Sequence, residues 1–269
     1  MQKLNKRNIM ATTMEAIMDR IIDIHNHVLP GVDDGAQTIE DSLKIIKNLR
    51  NVGITDIVLT SHYIRGTKYE FNILVRQKIL EELKKSLTIK DVTVYLGNEV
   101  YICEEIYDLY KNYEISSINN SKYMLVELPL SGYSNSFPNI LCDMESKGLV
   151  PIIAHPERYK FLQKNPGRVS EILEFNALLQ INVDSLIGRY GKAAKKTAKW
   201  LLKNNLVQFV ATDVHNVNGC KHLKRAYKKL KKLVGQKKYE ELTYTNAKKV
   251  LENREVAGNV DYMSRERSW

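Results

Sequence analysis

The chain has 269 residues and a formal net charge of +10, with 41 lysines and arginines against 31 acidic residues. This length suits one large α/β domain, since β/α barrels commonly run to about 250 residues. No apolar stretch approaches the ~18–20 residues that a membrane helix needs. The three scattered cysteines fit a reducing compartment, so we expect a cytoplasmic protein.

Strand and helix patterns alternate along residues 20–255, which we predict to form one domain. Short apolar runs bounded by polar residues are typical of buried parallel strands. The predicted strands are 21–27, 55–61, 92–97, 123–127, 150–154, 178–183 and 207–212. The predicted helices are 38–52, 69–87, 104–112, 138–147, 167–175, 190–204, 221–234 and 238–253. Seven successive βα units without a linker predict an α/β fold with a parallel barrel or a strongly curved sheet.

The two chain ends lie outside this domain, and the positive charge concentrates toward the second one. We expect a disordered extension at 1–19 and a C-terminal tail at 256–269. Residues 190–269 hold 19 lysines and arginines against 7 acidic residues. This surplus is either a solvated helix face or a patch for phosphorylated protein, an anionic membrane surface or nucleic acid. No nucleic-acid-binding module accompanies it, so we expect no nucleic-acid partner, whereas peripheral membrane association stays open.

Histidines and acids follow most of the predicted strands, at the point where each strand ends. In parallel α/β folds the carboxyl ends of the strands lie at one edge, so we expect these side chains to converge. A lone histidine there is more often a hydrogen-bonded core residue, but five of the six histidines occupy equivalent positions. Imidazole and carboxylate groups suit hard or borderline metals, so the sequence predicts a metal site. The strand-end residues are His25, His27, His62, Glu99, Glu127, His155, Asp213 and His215.

The order of these motifs resembles the PHP superfamily, named after polymerase and histidinol phosphatase. More narrowly, it resembles the manganese-dependent protein-tyrosine phosphatases of Gram-positive capsule and exopolysaccharide gene clusters, over about residues 20–255. By themselves, Asp33-Asp34-Gly35 would indicate only a turn. The matching motifs are His25-Asn26-His27, Asp33-Asp34-Gly35, Ser61-His62-Tyr63, Gly97-Asn98-Glu99-Val100, Leu125-Val126-Glu127-Leu128-Pro129, His155-Pro156-Glu157-Arg158-Tyr159 and Asp213-Val214-His215-Asn216.

The resemblance implies a distorted seven-stranded, TIM-like β/α barrel that holds three divalent metal ions. It assigns His25, His27, Glu99 and Asp213 to the first ion, Glu99, Glu127 and His155 to the second, and Asp34, His62 and His215 to the third. Arg158 would contact the substrate phosphate as a catalytic and binding residue. Lys221 stands in a loop where related phosphatases often carry another arginine, so phosphate binding there falls to Lys221 or is weaker. Ligation by nitrogen and oxygen without thiolate suits manganese, iron or zinc, and manganese follows from the resemblance alone.

The implied reaction is hydrolysis of phosphotyrosine through attack by a metal-bound hydroxide. The expected substrate is the tyrosine-rich tail of a bacterial tyrosine kinase that controls capsule or exopolysaccharide synthesis. Two alternatives stay open at this point. The same site could cleave a small phosphomonoester such as histidinol phosphate, or the chain could be a non-catalytic basic binding protein.

Overall fold

The computed structural model describes residues 20–132 and 135–258 of the chain. The expected N-terminal extension lies outside these residues, as does the expected C-terminal tail from residue 259 onward. None of the described helices combines the length and the apolar character that crossing a lipid bilayer requires.

Nine short strands in the described ranges pair in parallel and form two sheets. They are β1 (Ile21–Asp23), β2 (Ile54–Leu59), β3 (His62–Tyr63), β4 (Thr93–Leu96), β5 (Glu99–Tyr101), β6 (Tyr123–Glu127), β7 (Val150–Ala154), β8 (Leu178–Asn182) and β9 (Phe209–Ala211). The first sheet has the order β1-β2-β4, and the second has the order β3-β5-β6-β7-β8-β9. A parallel bridge between Asn26 and Val214 joins the segments that follow β1 and β9. The parallel α/β architecture is confirmed, and a closed barrel stays a prediction.

The strand count exceeds seven because a further short strand follows each of the predicted strands 55–61 and 92–97, after a break of two residues. Leaving β2, the chain passes Thr60 and Ser61 into β3, and it leaves β4 through Gly97 and Asn98 into β5. The breaks lie side by side, since Glu99 N donates to Thr60 O and Ser61 O, each at 3.1 Å. Each break carries the chain from the first sheet into the second, directly before a candidate metal ligand.

A buried arginine holds the two breaks together. Arg76 is only 1% exposed. Its guanidinium donates to Gly97 O and to Asn98 Oδ1, and it lies 3.5 Å from Leu59 O. No carboxylate of the described residues pairs with it. Gly97 O therefore finds its donor in this side chain, whereas Leu59 O also accepts a hydrogen bond from Gly97 N at 3.2 Å.

Ten α-helices connect the strands or follow them in the described ranges. They are α1 (Ile39–Arg50), α2 (Ile73–Ser86), α3 (Ile106–Lys111), α4 (Phe137–Ser146), α5 (Lys160–Lys164), α6 (Ser170–Leu173), α7 (Gly191–Lys203), α8 (Val217–Cys220), α9 (Leu223–Glu240) and α10 (Asn246–Leu251). Short 3₁₀ turns occur at Ile118–Asn120, Pro156–Arg158, Pro166–Val169 and Val183–Ile187, and a π turn at Glu241–Thr245.

The helix boundaries follow local signals in the sequence. Thr38 caps α1, because its side chain accepts a hydrogen bond from Asp41 N. The predicted helices 221–234 and 238–253 meet at Gly235, whose φ of 77° and ψ of 169° interrupt α9. The predicted helix 167–175 is shorter than expected and consists of a 3₁₀ turn followed by α6. The helix α5 was not predicted.

Strand side chains are buried on both faces of the sheets. All six residues of β2 are buried, and its side chains alternate between two apolar clusters. Ile57 and Leu59 belong to the larger cluster, which includes helix residues such as Leu49 and Leu83. Val58 belongs to a smaller cluster with strand residues such as Leu125. With both faces covered, polar groups of the strands concentrate at the strand ends.

Candidate metal centre

The first feature of the site is a carboxylate oxygen surrounded by imidazole nitrogens. Glu99 Oε2 lies 3.2 Å from His25 Nε2, 3.3 Å from His27 Nε2 and 3.0 Å from His62 Nδ1. Asp213 Oδ1 faces the same two nitrogens of His25 and His27, at 3.4 and 3.3 Å. Both carboxylates are almost completely buried. Five donor atoms from four separate segments of the chain thus lie close together.

Each of the first two histidines is oriented by a hydrogen bond at its other ring nitrogen. His25 Nδ1 lies 2.8 Å from Gln180 Oε1, and His27 Nδ1 lies 2.7 Å from Asp33 Oδ2. These contacts fix the ring orientation and leave both Nε2 atoms turned toward the carboxylates. Outer partners of this kind are typical of histidines that ligate metals.

Gly35 allows the Asp33 loop to approach His27 this closely. A Cβ atom at Gly35 would lie 2.0 Å from the carbonyl oxygen of His27, so no other residue fits there without movement of the backbone. Gly35 N also donates to Asp33 Oδ1. The Asp33-Asp34-Gly35 sequence therefore does more than form a turn, because it places both acids beside the histidines.

A second group of donors lies around the other carboxylate oxygen of Glu99, Oε1. His155 Nε2 lies 3.0 Å from Glu99 Oε1 and 3.5 Å from Glu127 Oε1. His62 Nδ1 lies 3.9 Å from Glu127 Oε2. Glu99 therefore faces both groups and could bridge two cations.

A third group lies nearer to the surface. Asp34 Oδ1 lies 3.8 Å from His62 Nε2 and 3.6 Å from His215 Nε2. The side chain of Asp34 is 53% exposed, in contrast to the buried carboxylates of the first group. The structure therefore brings together the nine residues that the sequence singled out as metal ligands, in a row that runs from the interior to solvent.

Two of these residues have a left-handed backbone. The φ angle is 33° at His155, directly after β7, and 54° at Asp213, two residues after β9. Positive φ is uncommon for residues other than glycine and costs conformational energy. At both positions this conformation turns a side chain out of the strand direction and into the cluster.

The charges of the cluster shift the pKa values of its acids and histidines in opposite directions. Burial opposes ionisation of Glu99 and Asp213, yet neighbouring imidazoles, chiefly His25, hold the pKa of both well below the usual range. Burial also opposes protonation of His25, but Glu99 and Asp213 raise its pKa to about 9. Burial and the nearby Glu99 raise the pKa of Glu127 to about 7. The cluster therefore attracts positive charge, either as protons on imidazole or as cations.

Arg158 lies at the edge of the cluster. Its Nη1 donates to Asp213 Oδ2 at 2.9 Å, and its guanidinium lies over the ring of Tyr190, 4.7 Å from the centroid. Asn182 Nδ2 also donates to Asp213 Oδ2, at 2.6 Å. The side chain of Arg158 is 24% exposed, so it reaches both the cluster and solvent.

A cavity of about 440 Å³ opens next to Asp213 and His215. Its wall includes Arg189, a cation that sequence reasoning did not single out and that lies 3.9 Å from Asp184. Lys221 is exposed directly after α8 and is not among the residues that line this cavity, so its phosphate-binding role stays a prediction.

Sequence reasoning also missed the residues that form hydrogen bonds with the candidate ligands or between the segments that carry them. Asp33 and Gln180 orient histidines, and Glu157 joins the turn after β7 to the end of β8 by accepting hydrogen bonds from Asn182 N and Ser185 Oγ. Glu157 stands inside the His-Pro-Glu-Arg motif, which was a signal available in the sequence. Gln180 offers no local signal, because its role depends on a contact across 155 positions of the chain.

Unpartnered polar atoms test whether the cluster suits a cation. His25 Nε2, His27 Nε2, His62 Nδ1 and Glu99 Oε2 are buried and make no hydrogen bond among the described residues. Buried polar atoms in proteins almost always have partners, and a bound cation would supply the partner that these four atoms share. The donor set fits divalent metals that accept nitrogen and oxygen ligands. Fold and site together define a parallel α/β protein with a cluster of candidate metal ligands at its strand ends.

The family model for capsular polysaccharide synthesis proteins, CpsB/CapC, matches residues 21–252. The chain belongs to this family, which confirms the resemblance expected from the motifs. CapC of Staphylococcus aureus is 34% identical over 253 residues, which cover 89% of this chain and 94% of CapC.

Solved structures agree with this assignment. One match belongs to the crystal structures of YwqE from Bacillus subtilis and CpsB from Streptococcus pneumoniae, which are described as unique metal-dependent tyrosine phosphatases. The matched chain has a TM-score of 0.82 and is 31% identical in sequence. It covers 89% of this chain and 97% of the matched chain. Histidinol phosphate phosphatase of Lactococcus lactis has a TM-score of 0.58 over 84% of this chain and 97% of its own, and at 14% identity it supports the fold alone.

Proposed function

We propose that this chain is a metal-dependent protein-tyrosine phosphatase of capsule or exopolysaccharide synthesis. The observation that carries the proposal is the group of buried, unpartnered donor atoms around Glu99, in a chain similar to tyrosine phosphatases over most of its length. Bound divalent cations would activate water and neutralise charge on the phosphate. The strands that hold the donors form, in this proposal, the distorted seven-stranded barrel expected from the sequence.

The proposed ligand set contains three ions, with manganese as the first choice and iron or zinc as alternatives. His25, His27, Glu99 and Asp213 hold the first ion, because their donor atoms face each other at 3.2–3.4 Å. The second ion is held by Glu99, Glu127 and His155. Asp34, His62 and His215 hold the third ion, which is the most exposed and which we expect to bind most weakly.

Arg158 is the proposed catalytic residue of the protein itself. A guanidinium has five N–H donors, and in the described residues Arg158 uses one of them on Asp213. The remaining donors are available for two oxygens of a phosphate, whose charge they would stabilise as the phosphorus–oxygen bond breaks. The departing phenolate of tyrosine, from an acid of pKa about 10, needs less protonation than an alkoxide does. Arg189, on the cavity wall, is a second candidate for phosphate contact, and Lys221 is a third.

The proposed substrate is a phosphotyrosine protein in the cytoplasm, and our first choice is a bacterial tyrosine kinase with a tyrosine-rich tail. Capsule synthesis proteins of the same family support this choice. A small phosphomonoester such as histidinol phosphate is the alternative substrate of the same site. A non-catalytic basic binding protein is disfavoured, because such a protein has no need for a complete set of buried donors.

The test is phosphate release from a phosphotyrosine peptide by the purified full chain. We expect release with Mn²⁺, loss after chelation, and recovery when Mn²⁺ is restored. Parallel assays use a phosphoserine peptide of the same sequence and histidinol phosphate. Faster turnover of histidinol phosphate than of phosphotyrosine would contradict the proposed substrate, and no turnover of any phosphate ester would contradict the proposed reaction.

A pair of matched variants tests the site. Glu99→Gln removes a charge from the centre of the cluster, and we expect it to abolish both metal binding and activity. Glu145→Gln makes the same change at an exposed position on α4 and should leave both unchanged. Wild-type activity in the Glu99→Gln variant would remove Glu99 from the site.

A further inference from the structure

The helices α7 and α9 carry many positive charges and few negative ones. The nearest acids are Asp184, in the turn before α7, and Glu240 and Glu241, at the end of α9. Residues 185–212 and 214–239 contain no aspartate or glutamate. Both helices pack against the turn Val183–Ile187, which follows β8. Exposed helices commonly mix charges of both signs, because like charges one turn apart repel each other. Such repulsion weakens the helices unless an anion neutralises it.

Part of this charge lines a concave surface. A cavity of about 370 Å³ lies between α7, α9 and the turn, and Leu186 and Ile187 contribute apolar wall. Its cations form what we call the basic groove: Lys195, Arg225, Lys228, Lys229 and Lys232. No carboxylate in residues 20–132 or 135–258 forms an ion pair with any of these five. On α9 their spacing places them along one face of the helix.

The basic groove lies near the cavity beside Asp213 and His215. One segment, residues 184–190, lines both: Asp184, Arg189 and Tyr190 face the cavity, and Leu186 and Ile187 face the groove. The side chain of Lys195 lies against Gly188, since a Cβ atom there would be 3.6 Å from Lys195 Cδ. A substrate peptide that extends from the cavity past Arg189 would therefore reach the groove next.

We propose that the basic groove binds a second phosphate of the same polypeptide whose phosphotyrosine occupies the metal centre. This inference rests on the proposed tyrosine-phosphatase function. A phosphoryl group carries a charge of about −1.5 to −2 at neutral pH, which complements four lysines and an arginine whose nearest acid is Asp184. The groove lies on the other side of segment 184–190 from the cavity, which favours a peptide whose phosphotyrosine enters the cavity over a membrane surface.

The groove is long enough to hold about three residues of an extended peptide. Arg225 and Lys232 are seven residues apart on α9, about 10 Å at the rise of a helix. An extended peptide covers this distance in about three residues. Binding of the second phosphate raises the local concentration of the first at the metal centre, so the enzyme should prefer multiply phosphorylated substrates.

The experiment compares kcat/KM of the Mn²⁺-loaded full chain for peptides of one sequence. One peptide carries a single phosphotyrosine, and the others carry a second one three or six residues away. At low salt we expect a preference of about tenfold for a doubly phosphorylated peptide, mainly through KM, because a few partly screened charge pairs contribute. The preference should shrink at high salt.

Charge reversal identifies the surface. The triple variant Lys228→Glu, Lys229→Glu and Lys232→Glu should lose the preference and keep wild-type turnover of p-nitrophenyl phosphate, which is too small to reach the groove. The control Lys78→Glu, Lys85→Glu and Lys90→Glu makes the same charge change at exposed positions in and after α2, and should keep the preference. A groove variant that keeps the full preference would overturn the proposal.

Two further outcomes separate this proposal from its alternatives. If wild-type protein shows no peptide preference but sediments with phosphatidylglycerol vesicles, and the triple variant does not, the groove is a membrane-binding surface and the proposal is wrong. If wild-type protein hydrolyses no aryl phosphate, the proposed function fails separately. Fluorescence anisotropy with the doubly phosphorylated peptide then still tests the groove, since the triple variant must bind about tenfold more weakly than the wild type.

Discussion

Arg158 Nη1 donates a hydrogen bond to Asp213 Oδ2, and the opposite oxygen of the same carboxylate faces His25 and His27. Asp213 therefore connects the candidate metal centre to the guanidinium that we expect to bind phosphate. A change in the position of either group reaches the other through one rigid carboxylate. This connection makes Arg158 sensitive to metal loading and makes it the first residue to test.

Arg158→Ala should lower kcat by about 10²–10³, because a cation that stabilises charge in the transition state is lost. Arg158→Lys should recover only part of this, since an ammonium cannot bind two phosphate oxygens side by side. The measurement is steady-state hydrolysis of a phosphotyrosine peptide with saturating Mn²⁺, together with inhibition by inorganic phosphate. Arg50→Ala, on α1, is the control. Unchanged turnover and unchanged phosphate inhibition in Arg158→Ala would exclude the assigned role.

Gln180→Ala should weaken metal binding by about 10- to 100-fold, because outer partners of ligating histidines have effects of this size. The amide oxygen of Gln180 orients His25 at 2.8 Å. Competition with a fluorescent chelator measures the affinity, and excess metal should restore activity. Gln77→Ala, exposed on α2, should behave as the wild type. Equal affinity of both variants would mean that His25 needs no such support.

Arg76→Met should destabilise the protein by about 3 kcal/mol, because the buried Gly97 O loses its donor and Asn98 Oδ1 loses one of its donors. Since the breaks precede His62 and Glu99, metal affinity should fall as well. Urea denaturation of the chelated protein gives the first quantity and chelator competition the second. Lys78→Met, two residues along the same helix and exposed, should change stability by no more than about 0.5 kcal/mol. Wild-type stability and metal affinity in Arg76→Met would refute the inference that Arg76 holds the two breaks together.

Metal loading should release protons at neutral pH. Glu99 and Asp213 overcome the effect of burial and raise the pKa of His25 to about 9, so in the metal-free protein this imidazole is protonated at pH 7. A metal ligand must be deprotonated, so affinity should rise with pH until about pH 9 and then level off. Calorimetric titration with Mn²⁺ in buffers of different ionisation enthalpy counts the protons. Absence of proton release at pH 7 would contradict the charged state of His25.

The candidate ligands could be read from the sequence because their signal is local. A buried apolar run followed by a histidine or an acid, as at Ile152-Ile153-Ala154-His155, marks both a strand and its functional end. The residues that orient the candidate ligands by hydrogen bonds lack such a signal. Asp33 resembles an ordinary turn residue, and Gln180 an ordinary strand residue. Their roles arise from contacts with His27 and His25, which the chain order does not reveal.

The strand breaks illustrate the same difference. The runs 55–61 and 92–97 predict one strand each, and the structure adds a further short strand after each, beyond the breaks at Thr60-Ser61 and Gly97-Asn98. Gly97 was visible in the sequence, but its consequence depends on Arg76, which reaches both breaks from α2. In the same way, the sequence singled out Lys221 near the phosphate, and folding placed Arg189 on the cavity wall.

The amino-acid sequence alone determined the alternation of strands and helices, the parallel α/β class, the family and the identity of the candidate ligands. These properties follow from hydrophobic periodicity and from residue chemistry, which are both written in neighbouring positions of the chain. Only the tertiary structure decided which donor atoms face each other, which side chains orient them, and which of many basic residues line a groove beside the cavity. These relationships depend on distances between segments that lie far apart in the chain, and packing of the whole domain sets those distances.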